Sequence, residues 1–276
     1  MKLPSIIQPE QLLTSGKKDF LLFDVSAGSK PRYDEQHLKD AFYLDLNTDL
    51  ADIKDFAIGG RHPLPTFEHF AQLLGKYGLT KDTHVIVYDD KNGSNAAARF
   101  WWMLKSIGHE KVQVLNGGYT AAIKAGFPVT AEVPLANPVS PYQISAWQLP
   151  LAEIEEVEAA TQLEHHAIID VRDANRFAGL TEPIDLIAGH IPNATNIPFT
   201  ENLDAHGAFL SPEILKEKYS KALADYNIEN VIIHCGSGVT ACHTLLAIDY
   251  AGLPIPKLYV GSWSEWSRNH KKMILT

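Results

Sequence analysis

VIIHCGSGVTACHTLLAIDYAGL, residues 231–253, reads as a strand, a turn and a helix in succession. Val231 to His234 form a β-branched run of strand length, Gly236, Ser237 and Gly238 break it, and from Thr240 apolar positions return at helical spacing. A strand handing over to a helix through a short glycine turn is the unit of a parallel α/β sheet. The same handover occurs 146 residues earlier, where HVIVYD ends at Asp89 and enters its own Gly/Ser turn before a helical pattern. A second pair keeps that offset: LLFDV ends at Val25 and AIIDV at Val171, each closing on an Asp and running into a polar loop. A looser echo links DEQHLKDAFYLDL to AGHIPNATNIPF. The chain therefore reads as two tandem copies of one α/β unit, each a mostly parallel sheet flanked by helices.

The junction falls in FPVTAEVPLANPVSPYQ, where Pro128, Pro134, Pro138 and Pro141 interrupt regular structure and predict a stiff, extended connector over about residues 128–145. The expected domains are 1–137 and 146–276. Between the strands lie amphipathic stretches such as TFEHFAQLLGKYGL and SPEILKEKYSKALADYN. Thr66 precedes the first, and Ser211 with Pro212 opens the second, as helix starts require.

Composition removes several function classes. The 276 residues are 45% hydrophobic and 21% charged, enough apolar material for packed cores. Thirty-three acidic against 24 basic residues leave a net charge of −9, so no basic surface is offered to nucleic acid or anionic lipid. No apolar run approaches the ~20 residues that span a bilayer. The opening MKLPSIIQPEQLL lacks the unbroken apolar stretch of a secretory signal. With only two cysteines, Cys235 and Cys242, the expectation is a protein of a reducing compartment, the cytoplasm.

In open parallel sheets, ligands bind beyond the carboxyl ends of the strands. Cys235 is delivered to that place. Gly236 and Gly238 permit backbone angles that turn N–H groups inward, and the following helix adds partial positive charge; both favour a thiolate. A buried cysteine at a strand end can be mere packing, but packing does not call for glycines and hydroxyls directly after it. Cys242 falls inside the helical run and reads as structural. Cysteine-dependent phosphatases need an arginine six residues after the nucleophile to grip phosphate. Ala241 stands there, so that chemistry is disfavoured.

CGSGVTA (Cys235–Ala241), GSWSEW (Gly261–Trp266), RFWWML (Arg99–Leu104) and GHIPNATNIPF (Gly189–Phe199) together resemble the two-domain rhodanese family of sulfurtransferases over nearly the whole chain. The Cys-Gly-Ser-Gly-Val-Thr form is similar to that of 3-mercaptopyruvate sulfurtransferases. The resemblance implies an active second domain and a degenerate first copy, and Asp89, at the position of Cys235, cannot carry a persulfide. It implies transfer of a sulfane sulfur from a small anionic donor, 3-mercaptopyruvate ahead of thiosulfate, to cyanide or an acceptor thiol such as a thioredoxin-like protein. The carrier is a persulfide on Cys235, and no metal or organic cofactor is required. The amides of Gly236, Ser237, Gly238, Val239 and Thr240 would stabilise the transferred sulfur's charge. A sulfur-carrier or binding module without turnover is the alternative of another class.

Because a chain at −9 repels anionic donors at long range, a local positive pocket is expected. Arg176 corresponds to the family's substrate-binding arginine, with an ion pair to Asp173 or Glu182 as the plainer role. Arg172 would brace the domain. Arg99 is expected to face the cleft, and His62 to work with Ser237 on a proton. Trp263 and Trp266 read as packing. Two departures from the family stand out. Ile184 follows Glu182-Pro183 where a second arginine is usual, and Asn47 replaces the acid that orients the histidine.

Overall fold

The computed structural model describes residues 3–14 and 20–269, which pack into two units. The first holds strands β1 (Ile6–Ile7), β2 (Leu21–Asp24), β3 (His37–Leu38), β4 (Ala41–Tyr43), β5 (Val85–Tyr88), β6 (Val112–Leu115) and β7 (Val129–Thr130). Its helices are α1 (Pro9–Thr14), α2 (Lys30–Glu35), α3 (Phe67–Lys76), α4 (Ala96–Ser106) and α5 (Gly118–Lys124). The second holds β8 (Leu151–Ala152), β9 (Ala167–Asp170), β10 (Ala194–Asn196), β11 (Val231–His234) and β12 (Lys257–Tyr259). Around them lie α6 (Ile154–Ala160), α7 (Ala174–Phe177), α8 (Pro212–Ala222), α9 (Thr240–Tyr250) and α10 (Ser262–Trp266).

The two main sheets have one topology. The first runs β1-β6-β5-β2-β4 and the second β8-β12-β11-β9-β10, with every pairing parallel; a small antiparallel ribbon, β3 with β7, is added to the first. Even the register of the central pair repeats: Leu21 opposes Val85 and Asp24 opposes Tyr88, as Ala167 opposes Val231 and Asp170 opposes His234. The duplication read from strand spacing is thus a duplication of fold.

The cores explain the sequence pattern. β5 and β11 are buried at every residue, as central parallel strands covered on both faces must be, so they read as continuous apolar runs rather than alternations. Leu22, Ile86 and Leu115 pack in one core, and Ile168, Ile232, Trp263 and Trp266 in the other. Thr66 caps α3 by accepting the His69 N–H at 3.2 Å, and Ser211 caps α8 by accepting that of Ile214 at 3.4 Å.

The expected domains follow chain order, whereas packing exchanges two short segments. Ile53–Leu64 packs with the second unit and Ala205–Phe209 with the first. The first exchange has a steric basis. A Cβ on Gly60 would lie 2.3 Å from the Gly261 carbonyl oxygen, so Gly60 permits the close approach of two backbones. In the second, the Phe209 N–H donates to Asn116 Oδ1 at 2.8 Å. The proline-rich connector is extended and lies along the first unit. Val139 N–H bonds Gly75 O at 2.9 Å, and the Trp147 ring packs 5.2 Å from that of Phe67.

Candidate active site

In the second unit the chain passes from β9 outward to β10, then returns to β11 on the other side of β9 and continues outward to β12. The loops leaving β9 and β11 therefore diverge from adjacent strand ends, which opens a crevice at that point of the sheet. The β9 loop carries Arg172 and Arg176. The β11 loop carries Cys235.

Cys235 is buried, and its backbone is fixed on three sides. Its N–H donates to Ser262 Oγ at 3.2 Å, while its carbonyl accepts from the Trp263 N–H at 3.0 Å and lies 3.1 Å from His234 Nδ1. Gly238 adopts φ +71°, and a Cβ there would meet the Val260 carbonyl oxygen at 2.6 Å, so the turn requires glycine. Val239 brings the chain to α9. The N–H groups of Gly236, Ser237, Val239 and Thr240 donate to no protein acceptor among the described residues. Those amides and the helix N-terminus can therefore serve negative charge at the loop.

The first unit shows what such a loop does with an anion. Asp89, at the end of β5 as Cys235 is at the end of β11, turns its carboxylate onto its own loop. Oδ1 accepts the N–H groups of Lys91 and Gly93, both at 2.8 Å, and Oδ2 those of Asn95 at 3.0 Å and Ala97 at 3.2 Å. Burial pushes the Asp89 pKa above its ordinary value, although the four amides pull against that.

Beside Cys235 lies a network of arginines and carboxylates. Arg172 is clamped on Asp170, with Nε 2.9 Å and Nη2 2.6 Å from Oδ2; it also donates to Glu182 at 3.3 Å and the Gly189 carbonyl at 2.8 Å, and lies 4.6 Å over the Trp263 ring. Burial opposes the charge on Asp170, but the Arg172 guanidinium and the hydrogen bonds it donates prevail and hold the Asp170 pKa below the carboxylate range. Arg176 Nη2 donates to Glu182 at 2.7 Å and to Asp185 at 3.3 Å. Asp185 also accepts from Arg61 Nε at 2.9 Å and Arg268 Nη1 at 3.3 Å.

Arg61 and His62 arrive on the segment that packs with this unit from the first half of the sequence. α10 and the residue before it hold that segment: Glu265 accepts the Gly59 N–H at 2.6 Å and Ser264 Oγ the Arg61 N–H at 3.0 Å. His62 Nδ1 lies 2.8 Å from Ser237 Oγ, a hydrogen-bonded pair two residues beyond the cysteine.

Known proteins resemble this chain in sequence and fold. Residues 9–125 and 153–269 each match the model of the rhodanese-like domain. The chain is 39% identical over 258 residues to a Pseudomonas aeruginosa protein named "Probable 3-mercaptopyruvate sulfurtransferase", covering 93% of this chain and 90% of that one. It is 36% identical to the thiosulfate sulfurtransferase of Cricetulus griseus over 86% of this chain and 80% of that protein. The chain belongs to the rhodanese family. A solved rhodanese structure, the 3-mercaptopyruvate sulfurtransferase of Leishmania major, superposes with a TM-score of 0.83 at 28% identity, covering 96% of this chain and 75% of that one.

Of the residues expected to form the rhodanese site, the second unit brings together Cys235, the loop from Gly236 to Thr240, Arg176 and His62. Both acidic partners of Arg176 are carboxylates of its own loop, and Asp173 instead caps α7. Arg99 lies on α4 inside the first unit and is fully buried; Asn47, exposed, belongs to that unit too. Cys242 is buried in α9, its thiol donating to the Gly238 carbonyl at 3.2 Å. Sequence reading missed Arg61, Asp185, Arg268 and Glu265. The one available signal for Arg61 was its place next to His62.

Proposed function

We propose that this rhodanese is a sulfurtransferase that takes a sulfane sulfur from 3-mercaptopyruvate onto Cys235 and hands it to a thiol or cyanide. The observation that supports this reading is the loop after Cys235: its Gly236, Ser237, Val239 and Thr240 amides meet no protein acceptor among the described residues, a Cβ on Gly236 would lie 3.1 Å from Arg61 Nη2 and 3.5 Å from Arg176 Nη2, and Ser237 is hydrogen-bonded to His62. The Cys235 thiolate attacks the donor sulfur, and the C–S bond breaks with its electron pair on carbon, giving the enolate of pyruvate. The donor sulfur is now bound to Cys235 as a persulfide. A proton then reaches the enolate carbon.

The hydrogen-bonded pair of Ser237 and His62 supports a role in moving that proton. In the tautomer with hydrogen on Nδ1, the ring donates to Ser237 Oγ and the hydroxyl hydrogen points elsewhere, toward the donor; in the other, the hydroxyl donates to the ring. Negative charge on the outer sulfur is met by the loop amides, as in an oxyanion hole. In the second half-reaction the acceptor attacks the outer sulfur and Cys235 leaves as thiolate, a good leaving group. In the first unit Asp89 occupies the nucleophile's place, so that copy is read as the inactive one.

Thiosulfate is the second reading for the donor. It is favoured by Ile184, which stands where 3-mercaptopyruvate enzymes usually have a second arginine. Among the described residues no helix is long and apolar enough to cross a membrane, and the two free cysteines fit a cytoplasmic protein. The test is intact-mass analysis after mixing with each donor. Wild type gains one sulfur atom and passes it to cyanide, whereas Cys235→Ser gains none and loses turnover. Sulfur uptake by Cys235→Ser equal to wild type refutes the assignment.

A further inference from the structure

We propose that His234 is a positioning residue for the nucleophile: its Nδ1–H holds the Cys235 carbonyl and so fixes the peptide whose other end, the Gly236 N–H, begins the amide loop. The inference rests on the sulfurtransferase reading and deepens it. A trans peptide carries its C=O and its N–H on opposite sides. The Cys235 carbonyl meets two donors, the Trp263 N–H at 3.0 Å and His234 Nδ1 at 3.1 Å, one for each lone pair. With that oxygen held, the Gly236 N–H must point the other way, where no protein acceptor among the described residues takes it.

The ring is itself fixed. His234 ends β11 directly opposite Asp170 in the register of β9, and it is fully buried. Nε2 lies 3.7 Å from Asp170 Oδ2, beyond hydrogen-bond reach, and has no hydrogen-bond partner among the described residues. Nδ1 is within reach of an oxygen that can only accept, so the hydrogen of the neutral ring belongs on Nδ1. Burial pushes the His234 pKa down and keeps the ring neutral; Asp170 favours a second proton, while Arg172 and His190 oppose it. The remaining titratable neighbour is Tyr259 on β12, its ring 6.3 Å from the imidazole.

The first unit lacks this second donor. There the Asp89 carbonyl accepts the Tyr119 N–H of α5 at 2.9 Å, just as that of Cys235 accepts the Trp263 N–H of α10. Tyr88 stands in the register place of His234, opposite Asp24. Its hydroxyl accepts the Leu38 N–H at 3.1 Å, and no side chain among the described residues donates to the Asp89 carbonyl. The extra bond therefore accompanies the thiol and is missing where a carboxylate takes the thiol's place.

Three substitutions separate this role from packing. His234→Asn keeps an amide N–H where Nδ1 stood, His234→Gln moves it to where Nε2 stood, and His234→Phe keeps the bulk of a ring with no donor. Two rates are read at Cys235: sulfur uptake from saturating 3-mercaptopyruvate, and alkylation by iodoacetamide, which needs no donor. Both are expected to fall roughly three- to tenfold in His234→Gln and His234→Phe, the loss of one neutral hydrogen bond. The donor KM should stay within about twofold of wild type. His234→Asn should recover most of both rates, and imidazole nitrogen NMR of the native protein near neutral pH should show the hydrogen on Nδ1. Wild-type rates in His234→Gln and His234→Phe, a loss in His234→Asn equal to that in His234→Phe, or a hydrogen on Nε2 alone overturns the assignment. So does a loss of rate that follows the urea midpoints of the three variants instead of the donor position. Should alkylation follow the expected order while the native protein never gains sulfur, the positioning role stands and the transfer reading falls.

Discussion

Asp170 is a carboxylate with almost no access to water, and it is tolerable there because Arg172 spreads its charge over two guanidinium bonds. His234 lies 3.7 Å away, but burial pushes its pKa down and favours the neutral ring, so it does not replace the arginine. Arg172→Ala would strand the charge. We expect it to lower the unfolding free energy by about 3–5 kcal/mol, the cost of breaking a buried pair, read as a fall in the urea midpoint. Arg172→Ala unfolding at the wild-type midpoint would show that Asp170 is stabilised by other means. The role of Arg172 was legible in the sequence because it follows Asp170 closely on the same loop. The role of Asp185 was not. Its partners Arg61 and Arg268 lie 124 and 83 residues away, and no spacing rule connects an acid on one loop to guanidiniums of two others.

At the scale of elements, what could be read was what carries its own period: the buried strands, the capped helices α3 and α8, and the glycine turn before α9. The segment 53–64 has no period of its own. It gains its place from backbone contact with Gly261 and from α10, where Glu265 accepts the Gly59 N–H. Burial pushes the Glu265 pKa above the ordinary value, with Glu153 and Glu155 adding repulsion and the Gly59 bond pulling back. The folded state thus binds a proton at Glu265 more tightly than the unfolded chain does. Its contribution to stability is present in full below the unfolded value of 4.5 and is lost as pH rises through the higher folded value. Glu265→Gln keeps an oxygen for Gly59 and has no proton to lose. Its stability relative to wild type should therefore increase as pH is raised from about 4.5 toward neutrality, followed by denaturant unfolding at several pH values. A difference that stays flat or falls over that range contradicts the account.

For the whole molecule, duplication was visible because strands that end on a functional turn must keep both length and apolar character, and the 146-residue offset survives in both central pairs. The exchange of short segments between the units leaves no comparable trace, since it depends on which backbones meet. One scaffold has nevertheless been put to two uses at the same strand end. In the second unit the loop follows a thiol, and its Gly236, Ser237, Val239 and Thr240 amides are not taken by any protein acceptor among the described residues. In the first, Asp89 consumes four of them. If Asp89 is the anion that completes its loop, then Asp89→Asn, which keeps the shape, turns an amide NH2 toward two N–H donors that have no other partner. Two N–H groups left unmet, one of them buried and the other part-buried, should cost about 1–3 kcal/mol, measured by denaturant unfolding. Sulfur uptake at Cys235 should persist in the folded protein, because the substituted group lies in the first unit and Cys235 in the second. Unchanged stability in Asp89→Asn would mean that those amides are as well satisfied without the charge, and the contrast drawn between the two loops would lose its physical basis.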